Sequence, residues 1–180
     1  CREEGIVMDK KLLEAFNQQI TAEFYSGYLY LQMGACFEKS NLKGFASWMR
    51  VQSMEESSHA MILFNYLAER GETIELGPIE QPQQTYDSVT AIFEKTLEHE
   101  KMVTGMIRNL MNLAEEAGDH ASRIRLEWFV TEQVEEEASA SEILDRLKLP
   151  GDNPGPALLM LDAELKQRTF KVPSPLAGKI

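Results

Sequence analysis

Cysteine is almost absent: the 180 residues contain only Cys1 and Cys36, and neither belongs to a CxxC pair. A disulfide framework and a thiolate zinc site are therefore excluded, and a reducing cytoplasm is the expected setting. No apolar run approaches the ~18 residues that a membrane-spanning helix needs, so no membrane partner is expected. No charged-then-apolar segment of the secretory kind opens the sequence. Basic residues are scarce, with 18 Lys and Arg against 29 Asp and Glu, giving a net charge of -11. A nucleic-acid surface rewards a basic face, and this chain has none to offer. The acidic excess suits a protein that attracts cations.

Proline is missing from the first 77 residues and then confined to Pro78 and Pro82, the run LPGDNPGP, and the last ten residues. The long stretches between carry helical periodicity. Asp9 caps a first helix running to about Glu38, with the stripe Leu13, Phe16, Ile20, Glu23, Gly27, Tyr30, Gly34. After the break at Ser40-Asn41, a second helix spans about Lys43 to Arg70, closed by Gly71. Its stripe is Phe45, Met49, Gln52, Glu56, His59, Leu63, Tyr66. Asp87-Ser88 caps a third helix ending near Gly118, with Val89, Phe93, Thr96, Glu100, Val103, Ile107, Leu110, Ala114. A fourth helix runs to about Leu147 with Leu126, Phe129, Gln133, Glu136, Ala140, Ile143, Leu147. A short fifth helix, about Pro156 to Arg168, places Leu158, Leu161 and Leu165 on one side. Residues 1–8 read as an N-terminal extension, 9–170 as one domain, and 171–180 as a tail.

The link between the second and third helices has no helical period. Helices of nearly 30 residues are ~40 Å long at 1.5 Å per residue. About 16 extended residues reach ~50 Å, enough to run the length of a bundle. The second and third helices are then parallel, as in an all-α four-helix bundle with one long crossover.

Each apolar stripe is interrupted near its middle: by Glu23, by Glu56 with His59, by Glu100, and by Gln133 with Glu136. Glu56 and His59, three apart, share one helix face. Midpoints of packed helices of equal length fall at one level, so these six groups converge. Burying an unpaired carboxylate costs several kcal/mol even after relaxation. A whole domain is stable by only ~5–15 kcal/mol. No Lys or Arg stands in the stripes, so the expected counter-ions are metal cations. Four carboxylates, one imidazole and one amide suit iron or manganese. Two ions bridged by a carboxylate fit six groups better than one, and Glu56 is the obvious bridge.

At this point the motifs resemble the ferritin family, and within it the haem-free bacterial ferritins, over residues 9–168. They are AEFYSGYLY on the first helix, EESSH on the second, HEKMVT on the third, EWFVTEQVEEE on the fourth and LMLDAEL on the fifth. The resemblance implies a ferritin-like fold with a short fifth helix packed in a pore around a four-fold axis. It also implies a hollow homo-oligomeric cage of twenty-four subunits. The implied activity is that of a ferroxidase, which oxidises Fe(II) with dioxygen or hydrogen peroxide and stores ferric mineral. Glu23, Glu56, His59 and Glu100 look like the di-iron ligands, with Gln133 and Glu136 completing the second iron's surroundings. Glu55, Glu132 and Glu135 match a third iron site that shares Glu136. Tyr30 matches a tyrosine kept beside the metals, and Trp128 an aromatic also found there. His99 and His120 are expected at the surface or between helices, and not as ligands.

Departures separate this chain from other relatives. Symmetric di-iron carriers place Glu-x-x-His on two helices, whereas the fourth helix here offers Gln133-x-x-Glu136. Haem-binding relatives carry methionine directly after the Glu-x-x-His glutamate; here that residue is Ser57, so no haem is expected. Animal ferritins line their three-fold pores with acids early in the fourth helix, where this chain has Arg123 and Leu126. The rival readings are a small di-iron oxygenase or peroxidase and a metal-binding structural bundle.

Overall fold

The computed structural model describes residues 8–149 and 155–178. Five α-helices follow in order: α1 (Lys10–Lys39), α2 (Lys43–Arg70), α3 (Val89–Glu116), α4 (His120–Lys148) and α5 (Gly155–Leu165), then a 3-10 turn at Ser174–Leu176. No strand occurs among the described residues. Most of the N-terminal extension and most of the Pro-rich stop after α4 lie outside them.

Local chemistry sets the boundaries. The Asp9 carboxylate accepts hydrogen bonds from the backbone N–H groups of Lys11 and Leu12 at the start of α1. Ser88 accepts from Ala91 to begin α3, and Asp119 from Ser122 to begin α4. Side-chain oxygens in these positions satisfy donors that have no partner within the helix. Gly71 ends α2 with φ of 72°, a conformation that costs glycine nothing.

Cross-helix contacts fix the directions. Phe16 meets Tyr66 and Phe37 meets Phe45, so α1 and α2 are antiparallel. Ser26 meets His99 and Phe37 meets Phe93, so α1 and α3 are antiparallel as well. Hence α2 and α3 run in the same direction, and the link between them must cross the bundle. It does so along α1: Thr73 and Glu75 are tied to Asn17, Gly77 to Thr21, and Gln84 to Cys36.

The core is divided. One apolar cluster gathers Phe16, Leu63, Tyr66, Leu110, Leu126 and Phe129. Another, toward the opposite end, gathers Phe37, Phe45, Trp48, Phe93, Ile143, Leu161 and Leu165. Between them lies a buried polar layer. The expected stripes fill this core except at helix ends: Leu12 is fully buried and Leu13 only partly so, and Val89 and Leu147 are half-buried while Ile92 and Leu144 are buried.

Helix α5 ends at Leu165, three residues short of the sequence expectation. Leu161 and Leu165 are buried in the second cluster, with Leu158 packed beside them. The chain then continues as a strap along α2, and Leu176 is buried in the first cluster. The described part of the segment read as a tail, residues 171–178 of 171–180, thus includes an apolar anchor.

Candidate metal centre

Each of the four long helices contributes to the polar layer from the middle of its buried face. Glu23, Glu56, His59, Glu100, Gln133 and Glu136 are all at most 5% exposed. Ligand atoms of Glu23, Glu56 and His59 lie within 4.8 Å of one another, as do those of His59, Glu132 and Glu136. His59 belongs to both sets. Its Nδ1 is 3.5 Å from Glu56 and its Nε2 is 4.0 Å from Glu132. The ring is held edge-on to Trp128 at 5.4 Å and to Phe129 at 6.0 Å between centroids.

Glu100 lies outside both three-residue sets. Its carboxylate accepts hydrogen bonds from the Tyr30 hydroxyl and, at 3.3 Å, from the Gln133 amide. Gln133 also reaches Thr104, whose hydroxyl donates to Glu137 at 2.6 Å. Glu55 is half-buried, and Glu135 is exposed and belongs to neither set. Ser57 is exposed as well.

The electrostatics are those of crowded acids. Burial pushes the Glu56 carboxyl well above its ordinary range, and Glu100, Glu23 and Glu136 push it further. Glu100 rises to about 7, mainly through burial and despite the Tyr30 and Gln133 hydrogen bonds. Glu136 rises to about 8, first through burial and then through Glu100. Burial lowers His59, favouring the neutral ring that can bind a metal. Burial, followed by the charge of Glu100, also raises Tyr30 well above the usual phenol value. Glu23 Oε2 and His59 Nε2 are buried without a hydrogen-bond partner. Such atoms call for an explanation, and both are of the kind that can ligate a cation.

Several participants were not legible as site residues. Gln52 donates to Glu136 at 2.7 Å, and Gln19 donates to Glu23 at 2.8 Å. Their signal was a buried amide one turn from a stripe glutamate. His99 is buried between α1 and α3, sharing a 2.7 Å hydrogen bond with Ser26 and standing edge-on to Tyr30. His120 is exposed at the start of α4. Arg168, from beyond α5, bonds to Glu55. No Lys or Arg stands in the stripes of the four helices, as read from the sequence; the cation beside Glu55 comes from the strap.

A protein-family model described as a ferritin-like domain matches residues 13–149. A bacterial non-heme ferritin of Bacteroides fragilis is 37% identical over 162 residues, spanning 90% of this chain and 100% of the relative. Another, from Campylobacter jejuni, is 37% identical over 161 residues, spanning 89% and 95%. Among solved structures, an Archaeoglobus fulgidus ferritin engineered to a closed form is 47% identical, with a TM-score of 0.88 over 92% of this chain and 100% of that one. An open-pore ferritin from the same hyperthermophilic archaeon is also 47% identical, with a TM-score of 0.87 over 89% and 98%.

Proposed function

The chain belongs to the ferritin family, and from that premise we propose that it binds ferrous iron as substrate and oxidises it at the buried carboxylate–imidazole centre. The oxidant is dioxygen or hydrogen peroxide. The ferric product is stored as mineral inside a homo-oligomeric cage of twenty-four subunits. The observation that carries this reading is the buried set Glu23, Glu56 and His59, with ligand atoms within 4.8 Å of one another, in which Glu23 Oε2 and His59 Nε2 have no hydrogen-bond partner.

The residues divide the work. Glu23 and His59 hold one Fe(II), Glu100 and Glu136 hold the other, and Glu56 bridges them. Carboxylates with raised proton affinity release protons as the ions enter, so the centre gains negative charge as positive charge arrives. Gln133 and Tyr30 orient Glu100, and Gln52 orients Glu136. Such supporting contacts fix ligand geometry and tune affinity. Holding two ions close with open positions lets an oxidant take one electron from each. Glu55, Glu132 and Glu135 form an outer acidic group through which the oxidised iron leaves for the mineral.

Stopped-flow oxidation at two Fe(II) per subunit tests the assignment. Glu23→Ala and His59→Ala should each slow the fast phase by about tenfold or more while assembly persists. Wild-type rates in both variants would remove the centre from its assigned role. Elution near half a megadalton is the expected signature of a cage, given the 20.4 kDa chain.

A further inference from the structure

The outer edge of the centre already holds a cation, and it is a side chain. Arg168 reaches in from the strap, and its Nη2 donates to the Glu55 carboxylate, 113 residues away in sequence. The guanidinium carbon lies 4.6 Å from the centroid of the Trp48 ring. Its positive charge also acts on Glu132 and Glu136. Nη1 is buried without a hydrogen-bond partner. A guanidinium is a fork of donors suited to pairing two acceptor groups, and here one prong is left unused.

We propose that Arg168 is a tethered counter-ion that occupies the outer cation position among Glu55, Glu132 and Glu136, and that it must swing away before a metal ion binds there. The inference rests on the reading of the inner centre given above. The strap is anchored on both sides of Arg168. Before it, the Asp162 carboxylate accepts from the backbone N–H groups of Gly44 and Phe45 at 2.8 and 3.0 Å. After it, Leu176 is buried against the bundle. The backbone can therefore stay in place while the side chain moves. Stacking on Trp48 orients the guanidinium plane when it is in. An entering cation must first displace a positive charge already in place, so the outer ion binds more weakly than the inner pair. The outer acids remain charge-compensated when metal is scarce.

Zinc, which has no redox chemistry, is the probe. Metal-free wild-type protein, Arg168→Gln and Arg168→Lys are titrated with Zn(II) by calorimetry. Crystals of each are soaked and their anomalous peaks counted. The glutamine variant should bind an ion among Glu55, Glu132 and Glu136 with affinity raised about tenfold or more, since a like charge has gone. The lysine variant keeps the charge and should keep the outer site weak, which separates charge from any loosening of the strap. In a Trp128→Phe background, outer zinc should shift Trp48 emission when Arg168 is present and leave it unchanged in the glutamine variant. Equal outer affinity in wild type and Arg168→Gln would overturn the proposal. So would an outer zinc in wild type with Arg168 still bonded to Glu55. Loss of the inner peaks in all three proteins would count against the inner centre instead, and the outer comparison is read at its own peak.

Discussion

Asp162 caps a helix that it does not belong to. Its Oδ1 accepts from the Gly44 N–H at 2.8 Å, where α2 begins without a side-chain cap of its own. The approach is so close that a Cβ on Gly44 would fall 1.6 Å from the Asp162 carbonyl oxygen. Asp162→Ala should cost about 1 kcal/mol, as loss of a helix cap does. For a domain of this size that lowers the melting temperature by about 2–4 °C. Gly44→Ala should cost more, because backbone and not a flexible side chain stands in the way. Thermal melts of both variants check this. A Gly44→Ala protein as stable as wild type would show that α5 does not dock here.

Glu56→Gln tests the crowding of the acids. Glu56 is raised by burial and then by three neighbouring carboxylates. A neutral amide of the same shape relieves that repulsion. Without metal, the variant should melt at or above the wild-type temperature. With saturating Zn(II), it should gain less than wild type does, because the bridge is gone. A metal-free variant that melts well below wild type would mean that the carboxylate is a net stabiliser without a cation.

The pH dependence has a definite sign. Glu100 lies at about 7 and Glu136 at about 8 in the folded protein, above the ordinary carboxylate range. The folded state therefore keeps protons that the unfolded chain releases at lower pH. Stability falls with rising pH wherever the folded state binds more protons. The contribution is fully present below the unfolded value and is lost as pH rises through the folded values. Metal-free protein should lose melting temperature between about pH 5 and 8, from the ordinary carboxylate range up to the folded values of those two groups, and level off above. Glu100→Gln or Glu136→Gln should flatten the slope, and saturating Zn(II) should abolish it. A flat metal-free profile in wild type would contradict the assignment.

The inner centre was legible because its residues obey the periodicity of their helices. Glu56 and His59 interrupt a stripe whose other members are buried where expected. The long link was legible because reach and helix length agree. Heptad counting slipped at Leu12 and Leu13, where a stripe stepped in threes and fours drifted from the true buried face. Asp162 and Arg168 were not legible. Their partners lie 118 and 113 residues away. Arg168 reads as the last residue of the fifth helix, whereas α5 ends at Leu165 and leaves it on the strap. The amides of Gln19 and Gln52 were hidden for another reason. A buried glutamine reads as packing until the carboxylate it serves is seen.

The proposed oxidation requires two iron ions that share Glu56 within the bundle. Anomalous diffraction at the iron edge, from metal-free crystals soaked anaerobically in Fe(II), tests it most directly. Two strong peaks about 3.5–4 Å apart are expected, the spacing of two-metal sites. Both should contact Glu56, one completed by Glu23 and His59 and the other by Glu100 and Glu136. Iron confined to exposed acids, with the Glu56 carboxylate free of metal, would contradict it.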